Sequence, residues 1–509
     1  HRSPFTVHRS PFTVHRSLNH FEMSFLPRSL RAHVLAAALV LVGYASPSRA
    51  QAPLPGPATL SAHQQLAHDV YKQLVEINTV DSVGSVTKAA EAMAARFRAA
   101  GFPAEDVQLL IPDGKPTKGN LVVRYHGRGG AAGRKPVLLI AHLDVVAAVR
   151  SDWPRDPFTL FEEGGYFLGR GTSDDKTMAS IFVANLLRMK AEKYVPDRDI
   201  ILALTADEEG GAANGADWLV ANHKPLIDAA YAINEGGGGT LVGNTPLFHS
   251  VQATEKVYVD FTLTATNTGG HSSVPRPDNA IYQLSQALLN ISHYQFPVAL
   301  NDITKGFFEQ TAKVEPRADM AAAMRAVVAN PVDVAANATL SKDARYSSML
   351  RTSCVATRLA GGHAYNALPQ SATANVNCRI VPTSNGEEVR QALIRAANDT
   401  GVKVAFLTTV QKFGRAPAPI EPQLLGAITD LTSRMWGNIP VIPTMSTGAT
   451  DGAYLRAGGI PTYGVSGLFM QSGESNAHGR DEKMRVKSFY DGLQFLDQLV
   501  RQVTSAPAP

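Results

Sequence analysis

Three consecutive acids, Asp207, Glu208 and Glu209, followed by Gly210 and Gly211, close the apolar run 200–204. That run reads as a buried strand of a parallel sheet. Buried carboxylates are costly unless they are paired, hydrogen-bonded or bound to metal. Open α/β sheets bind their ligands at the carboxyl ends of the strands. Two adjacent glutamates can divide the labour there, one holding a metal and the other moving a proton. Acidic turns after strands are common, so the motif gains weight only from its context.

The context is repeated along the chain. The strand-like run 136–141 ends in His142, Leu143 and Asp144. A single histidine there would more often be a core residue, but Asp144 could bond its imidazole and fix the tautomer, as groups behind metal ligands do. Residues 169–176 read Gly-Arg-Gly-Thr-Ser-Asp-Asp-Lys. Their plain reading is a tight turn into a helix over 177–190, with Asp174 and Asp175 favoured by the helix dipole. The short apolar run 229–234 ends in Glu235 and then four glycines, 236–239, which could equally be a flexible loop. His478 lies in Asn-Ala-His-Gly-Arg-Asp-Glu, between a short strand at 462–465 and the last helix, 486–503. In a parallel sheet these five strand ends share one edge. Two histidines and three carboxylates, one of them bridging, suit a pair of divalent ions. Imidazole with carboxylate favours zinc, with cobalt or manganese compatible.

The elements that must position these residues fall into two textures. Amphipathic helices over 60–77 and 86–100 and strands over 120–125 and 136–141 open an α/β pattern. From Lys256 the pattern changes. Val257, Val259, Phe261, Leu263 and Ala265 alternate with mostly polar residues, as in a half-exposed antiparallel strand. A glycine-rich loop, 269–275, a helix over 279–291 and an irregular stretch to about 347 follow. Strands at 353–358 and 373–380, a helix at 387–397 and a strand at 402–408 complete the unit. After Ala416-Pro417-Ala418-Pro419 the α/β texture resumes, with a helix at 424–436 and a tight loop at 448–452. The expected architecture is α/β. A mostly parallel sheet with helices on both faces is built from 58–252 and 414–505, and an α+β lid domain, 253–413, is inserted in it.

The chain of 509 residues is long enough for two or three domains with substantial cores. Its net charge of +4 is carried by the first 50 residues, which hold six Arg and one acid; the remainder is close to neutral. That balance argues against a nucleic-acid partner. His1 to Val7 recurs at His8 to Val14 and begins again at His15. A period of this kind has no core logic, and 1–22 reads as an artefact preceding Met23. Residues 23–50 read as a secretory signal: Arg28 and Arg31, the short apolar run 34–44, and small residues before Gln51. The apolar run is short for a bilayer span, so no stable span is expected once it is removed. The protein is expected to be exported, periplasmic or secreted. Export permits a disulfide between Cys354 and Cys378, and two free buried thiols are the alternative.

Taken together, HLDVV at His142, GRGTSDDK at Gly169, DEEGG at Asp207, NEGG at Asn234, GGHSSVP at Gly269 and AHGRDE at Ala477 resemble the dizinc aminoacylase, carboxypeptidase and dipeptidase family. WPRDPF at Trp153 is most similar to the carboxypeptidase S and N-acyl amino acid hydrolase branch. The resemblance implies that Asp174 bridges two metals across a cis bond to Asp175. It implies that His142 and Glu235 complete one metal, and Glu209 and His478 the other. Glu208 would be the general base and Asp144 the partner of His142. His271 in the lid would steady the oxyanion. Asn366 and Arg379 would hold the substrate's backbone and terminal carboxylate, and Thr450 would touch the substrate. A guanidinium matches a carboxylate bidentately, which would make a free C-terminus a requirement. Lids of this type also pair, so a homodimer through the lid is implied.

The leading expectation is a hydrolase of a peptide or N-acyl amide bond next to a free carboxylate, acting on small peptides or N-acyl amino acids. A dipeptidase or aminopeptidase of the related dizinc group is the nearest alternative. The inserted domain and Glu235 argue against the aminopeptidase. A metal-stabilised exported binding protein without catalysis is the third reading. It would lack a base or a ligand, and Glu208 and every ligand are present.

Overall fold

The buried run Ile200–Thr205 lies deep inside the main sheet of the computed structural model, which describes residues 60–128, 133–407 and 420–505. Those residues all fall within one contact unit beginning at Leu60. The repeat at 1–22, the signal at 23–50 and the Ala416–Pro419 linker lie outside the described residues.

Ile200–Thr205 pairs in parallel with Val137–His142, which pairs in parallel with Tyr231–Asn234, and that strand with Thr462–Gly464. Parallel strands covered on both faces must be apolar throughout, and all three longer ones are fully buried. Antiparallel strands flank this centre. Asn120–Tyr125 and Val107–Leu110 lie on one side, and Thr245–Glu255 and Gly238–Val242 on the other. Val441–Ser446 runs parallel beside Thr245–Glu255. One face carries Ala62–Glu76, Val86–Ala99, Lys176–Ala191, Pro422–Trp436 and Val486–Thr504 around a large core. Gly215–Asn222 and Gly452–Ala457 cover the other. The expected α/β class and helices on both faces are therefore present.

Lys176–Ala191 is buried almost all round, because it lies between the sheet and the two long helices at the chain's ends. It delivers the turn with Asp174 and Asp175 to the sheet edge, and the peptide bond between those residues is cis.

The second sheet is antiparallel, in the order Ser353–Gly361, Ser371–Ile380, Val257–Thr266, Val402–Phe406. Helices Ala280–His293, capped by Asn279, and Gly386–Ala397, with a capping box from Asn385 and Glu388, close its core. Cys354 and Cys378 stand opposite each other in register and form a disulfide, which decides between the two readings of these cysteines.

One expectation is corrected. The stretch read as irregular up to about 347 is helical: Asp302–Thr311, Ala318–Ala329, Val334–Leu340 and Ala344–Leu350. These short helices pack on Phe248 and Ile442 of the main sheet, so their apolar faces are completed by another part of the chain. Their brevity and their caps at Asn301, Asp333 and Asp343 break up the periodicity that would have revealed them.

Candidate active site

Val137–His142 and Ile200–Thr205 are neighbours, so their ends bring His142 beside the Asp207–Glu209 turn. His142 Nε2 lies 3.0 Å from Asp174 Oδ1 and 3.7 Å from Glu235 Oε1. His478 Nε2 lies 3.0 Å from Asp174 Oδ2 and 2.9 Å from Glu209 Oε2. The two oxygens of Asp174 therefore face two separate groups. His142, Asp174 and Glu235 form one, and Asp174, Glu209 and His478 the other, with ligand atoms within 4.8 Å of one another in each. All five residues expected to ligate metal meet here.

The donor set fits a pair of divalent cations. Imidazole and carboxylate are ligands for zinc and its neighbours. Carboxylates outnumber the two imidazoles, an excess that bound cations would balance. The titration behaviour has the same origin. Burial works against the charged form of His142, but the bond to Asp174 and the acids Glu235, Glu208 and Asp144 hold its pKa well above the usual value. The Asp174 and Glu209 carboxylates push His478 up to about 10. Burial pushes Glu235 well above the carboxylate range.

Glu208 belongs to neither group. Burial pushes its carboxyl well up, and the charges of His142, Asp451, Glu209 and Asp174 all reach it. It stands next to the metal-facing Glu209, where a proton acceptor for a water between two cations would be needed.

Asp144 acts differently from the expectation. The His142 Nδ1 contact at 3.0 Å is with the main-chain carbonyl of Asp144, while the carboxylate stays 3.7 Å away. A carbonyl can only accept, so this bond places the proton on Nδ1 and frees Nε2 for a cation. The Asp144 carboxylate instead accepts the backbone N–H groups of Glu208 at 3.1 Å and Glu209 at 3.0 Å. It thereby aims both glutamates.

Several positioning residues were not picked out from the sequence. Glu482 is buried, and its Oε1 accepts the N–H groups of Ser173 at 2.7 Å and Asp174 at 3.0 Å. Its Oε2 accepts from Gly171 at 3.2 Å and from Arg170 at 2.6 Å. Arg170 also donates to the carbonyls of His478 at 3.3 Å and Gly479 at 3.0 Å. One ion pair thus holds both the Asp174 turn and the His478 loop. Lys118 donates to Asp207 at 2.5 Å, and Asp207 has φ of 58°, in the left-handed region. Asp451 accepts from Thr205 at 2.6 Å and Asn214 at 2.8 Å beneath the turn. The motifs AHGRDE, GRGTSDDK and DEEGG contain three of these residues, but nothing local indicates their partners.

The outer residues are spread. Thr450 is buried, donates to Glu255 at 2.8 Å and accepts from Asn234 at 3.0 Å, so it braces the strand that ends in Glu235. Arg379 is half-buried on Ser371–Ile380, its guanidinium 4.7 Å from the Tyr258 ring, and the charge of Glu208 reaches it. His271 pairs with Ala367 in a short two-stranded ribbon, and Ser272 donates to the Asn366 carbonyl at 3.0 Å. Both His271 and Asn366 are exposed. The His271 ring bonds Ser273, through its backbone N–H at 3.2 Å and its hydroxyl at 2.7 Å, and neither bond reaches the two carboxylate–imidazole groups.

A mostly parallel sheet whose edge carries two carboxylate–imidazole groups sharing one aspartate, joined by a second, antiparallel sheet, is an arrangement suited to a metallohydrolase of amide bonds. Residues 138–502 match the family model for Peptidase family M20/M25/M40, and the chain belongs to that family. It is similar to a probable carboxypeptidase S-like 2 of Dictyostelium discoideum, 26% identical over 395 residues, covering 75% of this chain and 74% of that protein. It is similar to the human N-fatty-acyl-amino acid synthase/hydrolase PM20D1, 24% identical over 396 residues, covering 75% and 77%. Rat aminoacylase-1A is 26% identical over 383 residues, covering 73% and 81%. Among solved structures, the M20 family metallo-carboxypeptidase Sso-CP2 of Sulfolobus solfataricus shares the fold with a TM-score of 0.63 at 17% identity, covering 86% of this chain and 98% of that one. A dinuclear metal-binding peptidase of the same family from Bacillus subtilis does so with a TM-score of 0.53 at 13% identity, covering 87% and 99%. The protein is thus an M20-type, metal-dependent hydrolase of amide bonds.

Proposed function

We propose that the protein cleaves a peptide or N-acyl amide bond next to a free carboxylate, with Glu208 as general base. The observation that carries this reading is the division of the turn: Glu209 faces the group formed with Asp174 and His478, and Glu208 faces neither group. When bound, two divalent ions, zinc in the first instance, supply an acidified water and polarise the scissile carbonyl. Glu208 takes the proton from that water and returns it to the departing amine. Asp144 holds Glu208 and Glu209 by their backbone N–H groups, so the two carboxylates keep fixed directions. Arg379, half-buried beside Tyr258, receives the substrate's carboxylate in a bidentate pair. Relatives with carboxypeptidase and N-acyl amino acid names support this substrate class.

The oxyanion donor comes from the lid. His271 is exposed, and a second copy of the chain is the partner that gives it a role. The edge strand Ser353–Gly361 is mostly exposed and carries Val355 and Leu359, beside Tyr282 and Leu289 of the lid helix. An exposed apolar edge of this kind invites pairing with another strand. We therefore include a homodimer through the lid, and export of the mature chain from about Gln51, in the proposal. N-terminal sequencing of exported protein tests the latter.

Glu208→Gln tests the core of the reading. It should retain bound metal and fold while losing about 10²- to 10⁴-fold in kcat on N-acyl amino acids or dipeptides. A kcat within a few-fold of the parent would remove Glu208 from the role of base.

A further inference from the structure

Three cations, Lys256, Arg351 and Arg379, lie at the seam between the two sheets, and of these only Arg379 has acids, Asp260 and Glu208, acting on it. Lys256 is the single residue between the strands Thr245–Glu255 and Val257–Thr266, where the chain leaves the main sheet for the lid. It is 1% exposed. Its Nζ donates to the Ser353 hydroxyl at 3.3 Å, and its backbone N–H to the Ser446 carbonyl at 3.0 Å. Ser353 stands opposite Arg379 in the neighbouring strand, and Tyr258 opposite Arg379 on its other side. Arg379 donates from Nε to Asn377 at 3.3 Å. Arg351, 7% exposed, donates to Gln295 at 3.2 Å and to Asn337, and its Nε is buried without a partner among the described residues.

Buried ammonium and guanidinium groups are normally paired with acids. Burial, Arg379 and Arg351 together push Lys256 down to about 7, and no carboxylate figures among these causes. The nearest acid along the chain, Glu255, is taken by Arg456 and Thr450. Asp260 is occupied by Tyr258, Asn375 and Asn377. Lys256 therefore lacks a counter-ion, while half-buried Arg379 beside it feels the charges of Asp260 and Glu208.

We propose that Lys256 is a specificity-determining partner of Arg379, the two forming a seat for the substrate's free carboxylate with Arg351 adding positive charge from behind. This rests on the reading of the site as a hydrolase of carboxylate-bearing amides. The carboxylate would be the counter-ion that Lys256 lacks. An uncharged carboxamide at the same place would leave three like charges together.

The experiment compares Lys256→Met and Lys256→Arg with the parent on an N-acetyl amino acid and on its C-terminal carboxamide. Loss of one charged hydrogen-bond partner should raise KM for the acid about 10-fold or more, with kcat nearly unchanged. The acid-to-amide ratio of kcat/KM should fall by the same factor, and Lys256→Arg should recover most of it. Unchanged KM and ratio in a folded Lys256→Met, or an equal loss of kcat on acid and amide, would overturn the proposal. A second measurement needs no turnover: inorganic sulfate should raise the melting temperature of the parent and not that of Lys256→Met. If the parent hydrolyses neither compound but shows this difference with sulfate, the functional reading fails and the anion seat stands. If it hydrolyses the acid and the sulfate effect is equal in both proteins, the seat fails and the functional reading stands.

Discussion

The Glu482 carboxylate accepts the backbone N–H of Asp174 at 3.0 Å, so the aspartate shared by the two groups is aimed by an acid far along the chain. The same carboxylate is paired with Arg170, which holds the His478 carbonyl. Both metal-facing groups therefore depend on one buried ion pair.

Removing half of that pair should be costly. Glu482→Ala leaves Arg170 buried and uncompensated, a loss of about 3–5 kcal/mol in stability. Glu482→Gln keeps the volume and part of the bonding. It should fold and bind metal about 10- to 100-fold more weakly, as expected for a group that orients ligands. Competition with a chelator of known affinity measures this. Parental metal affinity in Glu482→Gln would show that the turn holds itself.

Metal removal should lower both activity and stability. Without cations, Asp174, Glu209 and Glu235 crowd together with only His142 and His478 between them. A ligand that binds only the folded state adds about 2.7 kcal/mol at 100 times its Kd. The chelated protein should therefore melt at a lower temperature and recover with zinc. An identical melting curve with and without chelator would argue against a bound pair.

The loop carrying His271 makes a different prediction. His271 is exposed and bonded only locally. If it donates to the oxyanion, His271→Ala should lower kcat by about 10²- to 10³-fold with metal retained. If a second subunit delivers it, mixing His271→Ala with Glu208→Gln should restore part of the activity, because one hybrid site has both residues intact. Full activity of His271→Ala alone would take the residue out of the mechanism.

His249 should impose a pH dependence on stability away from the metals. Its ring is packed among Trp436, Phe469 and Phe495, and Nδ1 lies 2.8 Å from the Thr432 hydroxyl. Burial lowers its pKa from the ordinary 6.5 to about 3, so the folded state holds it neutral. The unfolded chain binds the proton first. Stability from this group is complete above pH 6.5 and is lost as the pH falls toward about 3. The slope reaches about 1.4 kcal/mol per pH unit. Denaturant titrations of the parent and His249→Phe across that window should diverge in slope. Parallel curves would show that His249 is not kept neutral.

His142, Glu209 and Glu235 were legible because each closes an apolar strand of the main sheet, whereas Asp174 and His478 come from loops beside the small antiparallel sheet of Phe161–Glu163, Tyr166–Leu168 and Lys483–Arg485, not from the ends of parallel strands as expected. Parallel strands put their carboxyl ends on one edge whatever the loops do. His142 and Glu235 were readable from strand patterns that the structure reproduces to within a residue or two. The strands of the second sheet and the helix expected over 279–291 were local signals of the same kind. Hydrogen-bond partners were not legible. Whether His142 meets the carbonyl or the carboxylate of Asp144 depends on where the Glu208 turn comes to rest, and that turn belongs to a different strand. Glu482 is 308 residues from Asp174, and nothing in its neighbours shows that its oxygens close on that backbone. The short helices over 302–350 find their apolar partners on Phe248 and Ile442. Lys256 reads as an ordinary charged residue until two sheets enclose it. Periodicity and strand polarity are properties of neighbouring residues. Burial and pairing are properties of the closed chain, which is why the tertiary structure alone decided them.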